Sequence, residues 1–164
     1  MFTVSIPSYF SDHEDTLLYY PYQVSEWLIE YKPLPFMKQK TVKRNLITNL
    51  TKKETSFYDA PLENVERLEQ QNQALILPIN YSKEDVKDSA IRFLTNHYMH
   101  KKKVWSYPDI TFTTSYSLYI PYFIGEREVK GKNKRVIIEP ETNHVDLLVK
   151  YKEIHHYLIE QEVI

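Results

Sequence analysis

No cysteine occurs among the 164 residues. That absence excludes a disulfide framework, thiolate zinc sites, iron–sulfur clusters and thiol catalysis together. Glycine is nearly as scarce, occurring only as Gly125 and Gly131. Neither a Walker-type phosphate loop nor a dinucleotide fingerprint can be written with two glycines. No apolar run approaches the roughly 18–20 residues of a membrane span. Met1–Ile6 lacks the basic and long apolar regions of a secretory signal, so the expected location is cytoplasmic, with no membrane span. Charge of one sign is also missing: 21 basic and 22 acidic residues leave a net charge of −1. Bulk electrostatics therefore draws the chain toward neither nucleic acid nor an anionic membrane, which leaves only local patches to act.

What is present is tyrosine, 14 of them, in a chain that is 42% hydrophobic and 14% aromatic. This content suffices for one sizeable core, so a single domain over 1–164 is expected. The most specific pattern is a pair of nine-residue stretches. Leu18-Tyr19-Tyr20-Pro21-Tyr22-Gln23-Val24-Ser25-Glu26 and Leu118-Tyr119-Ile120-Pro121-Tyr122-Phe123-Ile124-Gly125-Glu126 share the form L-Y-x-P-Y-x-[VI]-x-E.

Taken in order, Phe2–Ile6 alternates like a short edge strand. Leu18, Tyr20, Tyr22 and Val24 share one face of a half-buried strand, with Tyr19, Pro21, Gln23 and Ser25 on the other. Trp27–Tyr31 continues extended until Pro33 and Pro35 break the ladder. The basic stretch Lys38–Arg44 then reads as a ragged hairpin loop before Leu46-Ile47. A helix is expected from about Pro61 to the Gln70–Gln73 tract, and an apolar strand at Ala74–Ile79. Ser82–Asp85 forms a capping box that opens a helix with Val86, Ala90, Phe93, Leu94 and His97 on one stripe, ending at Lys101-Lys102-Lys103.

The longest alternation in the chain follows, with Ile110, Phe112, Thr114, Tyr116, Leu118, Ile120, Tyr122 and Ile124 on one face. Fifteen residues would run about 50 Å straight, so a strong bend or two joined strands is expected. Gly131–Lys134 supplies a hairpin connection, Glu139–Asn143 a second turn with Asn143 left-handed, and Val145–Val149 a short strand leading into a terminal helix.

These elements imply an α+β fold: a curved antiparallel sheet with two or three helices, built from two similar strand-strand-strand-helix units. The units cover about 16–73 and 109–162 and are linked by a helix over about 83–101. Within this order Ser82–Leu148 opens on Ser-x-Glu-Asp and closes on Ile137-Ile138-Glu139-Pro140-Glu141-Thr142-Asn143-His144. It resembles the PepSY-like family of small α+β modules. That resemblance implies action by protein contact, although Asn143 stands where the family usually has glycine and such modules are usually exported or membrane-attached.

Three kinds of chemistry have candidate residues. Glu26 and Glu126 end equivalent strands and are candidates for an acid–base pair in a hydrolase, should the fold bring them face to face. His97 and His100, three apart on a helix, carry metal-ligand spacing if carboxylates join them. Tyr19, Tyr22, Tyr119 and Tyr122 suit an interface, because tyrosine buries a ring while keeping its hydroxyl wet. Lys38, Lys40, Lys43, Arg44, Lys132, Lys134 and Arg135 interleave with aromatics as single-stranded nucleic-acid binders do, but the RNP-type pattern is absent and the net charge is not basic. The expected function is therefore a non-enzymatic protein-interaction or regulatory module. It would bind a protein partner or a copy of itself through a tyrosine-rich sheet face or an edge strand near the prolines. No cofactor is implied.

Overall fold

The computed structural model describes residues 2–4, 15–59, 65–67 and 74–164, with the side chains of Val4 and Val65–Arg67 excepted. The described strands are β1 (Phe2–Val4), β2 (Thr16–Tyr31), β3 (Lys40–Asn49), β4 (Glu54–Phe57), β5 (Val65–Arg67), β6 (Leu75–Ile76), β7 (Asp109–Val129), β8 (Lys132–Glu139) and β9 (His144–Leu147). Among the described residues two α-helices, α1 (Lys83–Asn96) and α2 (Lys152–Glu160), complete an α+β fold. The strands follow the order β4-β3-β2-β7-β1-β5, with β6 added to β2, β8 to β7 and β9 to β8. The pairings with defined register are antiparallel except the short β2–β6 contact. The chain forms two compact units, the first from 1–21, 62–78 and 119–164, the second from 22–61 and 79–118.

In the second unit, β2 sends Trp27, Ile29 and Tyr31 inward from alternate positions, where they meet Ala90 and Leu94 of α1, Tyr98 and Leu46 in one core. Ser82 and Asp85 close the expected capping box, which satisfies two donors at the start of α1. The helix ends in a π-helical turn, His97–Lys101, closed by the Lys102 N–H on the His97 carbonyl at 2.9 Å. Three hydroxyls tie β3, β4 and α1 together: Thr48 and Thr55 lie 3.0 Å apart, as do Thr55 and Ser89. Each is satisfied by its neighbour, which is what makes the fully buried Thr48 tolerable.

In the first unit, the two-residue turn Lys130-Gly131 joins β7 to β8 with φ of 52° and 72°, the left-handed values such a turn requires. Phe123, Val136 and Ile138 form the core of this hairpin with Leu17, Val129 and Leu147 against it. Ile154 and Leu158, four apart on α2, are fully buried, and the Tyr20 hydroxyl donates to Glu153 Oε1 at 3.0 Å. Asn143 is left-handed, as its turn requires.

Several expectations need correction. Of the helix expected from Pro61, the described residues Val65–Arg67 instead form β5, paired with β1; the rest of that segment lies outside the described residues. Lys40, Lys43 and Arg44 are not loop residues but lie on β3, whose alternate side chains reach water. The β7–β8 turn is Lys130-Gly131, so Lys132–Lys134 belong to the strand. Leu18–Pro21 are all buried, so one-in, one-out alternation fails there. Of the two alternatives for the long alternation, only that of two joined strands is overturned: β7 is one 21-residue strand, whose first part serves the second unit and whose remainder serves the first.

Candidate interaction surface

The most exposed aromatic side chains of the described residues collect in the second unit, where two loops meet. Proline has no N–H to continue a ladder, so Pro33 and Pro35 end the β2–β3 pairing beyond Tyr31 and Lys40. The chain turns, with the Met37 N–H on the Leu34 carbonyl at 3.1 Å, and throws Leu34 and Phe36 outward. The other loop leaves the π-helical turn through Lys103, which takes a φ of 52°, and buries Val104. Trp105 then donates its N–H to the Lys32 carbonyl at 2.9 Å, and the Lys32 N–H donates to Ser106 Oγ at 2.7 Å. These bonds fix the loops to each other while Phe36, Trp105 and Tyr107 remain 84%, 63% and 71% exposed.

Phe36, Met37 and Tyr107 line an open groove of about 580 Å³, together with Lys32, Lys38 and Asp109. The two loops and their flanks carry Lys32, Lys38, Lys40, Lys101, Lys102 and Lys103 against Glu30 and Asp109. Lys102 Nζ stands over the rings of Tyr98 and Tyr31, at 5.5 and 6.0 Å from their centroids. Such an array offers aromatic surface and ammonium groups, and covering Phe36 would contribute roughly 1.5–3 kcal/mol.

The tyrosines and glutamates singled out in the sequence fall elsewhere, while Lys38 lines this groove and His100 lines another with Tyr107. Tyr19 and Tyr119 are brought together, ring centroids 6.4 Å apart and edge-on, but are only 2% and 6% exposed and so present no ring to a partner. Burial pushes the Tyr19 hydroxyl up from its ordinary range, with a Thr3 hydrogen bond acting the other way. Tyr22 is half-buried, its hydroxyl accepting from Asn49 Nδ2 at 3.5 Å, and Tyr122 is half-buried edge-on to Tyr20 at 6.3 Å. Glu26 pairs with Lys43 at 3.3 Å in the second unit. Glu126 is exposed opposite Arg135 in the first.

His100 is exposed, whereas the His97 ring stands edge-on to Phe57 and Tyr98 at 4.8 and 5.2 Å. Among the described residues no group of three or more histidine, aspartate or glutamate side chains could hold a metal ion. Burial, with Lys102, Arg44 and Lys101 nearby, pushes His97 below its ordinary 6.5. The unfolded chain therefore takes up a proton that the folded chain resists, and stability is lost as pH falls below 6.5. Urea midpoints of wild type and His97→Gln, compared at roughly pH 8 and pH 5, should show the steeper acid loss in wild type. Parallel losses would remove His97 from the account.

Phe36, Trp105 and Tyr107 were not reached from the sequence. The available signal was Pro33-Leu34-Pro35-Phe36, apolar residues held between prolines where neither helix nor ladder can use them.

Against protein-family models, curated proteins and solved structures, the chain finds no match. The PepSY-like resemblance of Ser82–Leu148 thus rests on its sequence alone.

Proposed function

We propose that the chain is a non-enzymatic interaction module whose contact surface is the aromatic and basic corner formed by Phe36, Trp105 and Tyr107. One observation carries this reading: large apolar side chains stay exposed on loops that are fixed to each other by hydrogen bonds. Scattered exposed apolar residues are ordinary, but a group of them on fixed backbone is surface held ready for a partner. The tyrosine-bearing sheet of the motif takes the packing role instead. We also read the two motif stretches as the trace of a duplication. The contact of Tyr19 with Tyr119, which hold the same rank in the two copies, supports it.

Site-directed photo-crosslinking in cells tests the module. A benzophenone side chain at position 36 or 107 should give discrete adducts, and the same group at Glu141, an exposed turn position, should give none. Equal labelling at all positions, or none at 36 and 107, would overturn the reading.

A further inference from the structure

We propose that this corner docks on an anionic bilayer surface, an inference that rests on the interaction reading above and names its partner. The first ground is where the rings stand. Phe36, at 84% the most exposed large apolar side chain of the described residues, sits on a turn between strands at the side of the open groove, and two prolines set the backbone beneath it. A ring so placed can enter a soft interface without a complementary pocket.

The second ground is charge complementarity. The loops and their flanks gather Lys32, Lys38, Lys40, Lys101, Lys102 and Lys103 against Glu30 and Asp109, in a chain whose net charge is −1. The segments that carry the exposed rings are therefore net positive while the rest of the chain is net negative, and Lys32 and Lys38 line the groove with Phe36 and Tyr107 alongside Glu30 and Asp109. Lysines close to aromatic side chains are the composition that anionic lipid headgroups attract, the rings settling at headgroup level while the ammonium groups stay among phosphates and carboxylates.

The third ground is the residue types spent there. Of the two tryptophans, Trp27 is sealed in the core at 1% exposure and Trp105 is placed outside at 63%. Tryptophan, tyrosine and lysine are the side chains that anchor at a membrane–water interface. Among the described residues no helix is long and apolar enough to cross a membrane. The association read here is accordingly peripheral, reversible and weakened by salt.

The test uses the full chain and sonicated vesicles of phosphatidylcholine, alone or with about a third phosphatidylserine. The serine-containing vesicles should sediment the protein and shift tryptophan emission to the blue. Because Trp27 is already dry, the shift should vanish in Trp105→Phe. The double variant F36S/W105S and the charge variant K38E/K101E should each bind at least about tenfold more weakly, with unchanged circular dichroism, and raised salt should release the wild type.

Failure to sediment with serine-containing vesicles, or equal binding by F36S/W105S, would overturn the proposal. Retention on immobilised polyglutamate or single-stranded DNA without vesicle binding would also overturn it, while crosslinking at position 36 would leave the interaction module standing. Loss of both would end both readings.

Discussion

Replacing Gly125 with alanine is expected to destabilise the protein by about 3 kcal/mol. A Cβ built on Gly125 would overlap Asp15 Oδ1 and lie 2.7 Å from its Cγ and 3.0 Å from Arg127 Nη1. The Asp15 carboxylate cannot step aside freely. Its side chain is 7% exposed and is gripped by Arg127 through two bonds of 2.6 and 3.1 Å. Two-pronged pairing of this kind depends on geometry as well as charge, and it holds the Arg127 guanidinium above its ordinary range. The arginine, 37% exposed, can regain water when the pair opens, so the loss falls mainly on the buried carboxylate.

A double-mutant cycle separates this account from a simple backbone effect. In an Asp15→Ala background the obstacle is gone, and Gly125→Ala should cost less than about 1 kcal/mol by urea midpoint. Additive losses in the two backgrounds would defeat the explanation. The motif copies differ at this position for local reasons: Gly125 lies under a carboxylate, while Ser25 accepts the Trp27 Nε1–H at 2.8 Å.

Truncating Trp27 to alanine is the other large effect, expected at about 4 kcal/mol. The indole is fully enclosed, edge-on to Phe112 at 5.4 Å, and its N–H is held by the buried Ser25 hydroxyl. Alanine removes the ring contacts, leaves a cavity and strands the hydroxyl. Phenylalanine should recover most of the packing and still lack the hydrogen bond, so Trp27→Phe should lie between wild type and Trp27→Ala in denaturant midpoint. A loss below about 2 kcal/mol for alanine would mean that the core collapses around the gap. Fluorescence gives an independent check, because without Trp27 all native emission comes from the exposed Trp105 and should move to the red.

What could be read ahead of the structure was local. Ser82 and Asp85 are three residues apart, and their reciprocal bonds need nothing from the rest of the chain. Asn143 and Gly131 likewise reveal their turns by backbone tolerance. Distant pairing was not readable. Leu18–Pro21 is covered on both faces, and the parallel strand at Leu75-Ile76 comes from far along the sequence, so alternation carries no signal there.

The lysines of β3 hide a strand in the sequence because a run of charge masks its alternation. The tyrosines suggested a binding face by number, yet edge-on contacts enclose the foremost pair. The aromatic corner was hidden for the same reason as the sheet. A single phenylalanine or tryptophan in a loop has no periodicity, and the bond that brings the loops together joins residues 74 apart.

The division of the chain between its units has a consequence for synthesis. The second unit draws on 22–61 and 79–118, so every residue it needs has been made once Leu118 is added. The first unit holds the opening 21 residues but also requires 119–164. Newly made chain therefore gains the parts of the Trp27 core first; Leu18 and Tyr19 already have Leu75 and Ile76 to pair with, while Leu17 waits for Phe123, Val136 and Ile138.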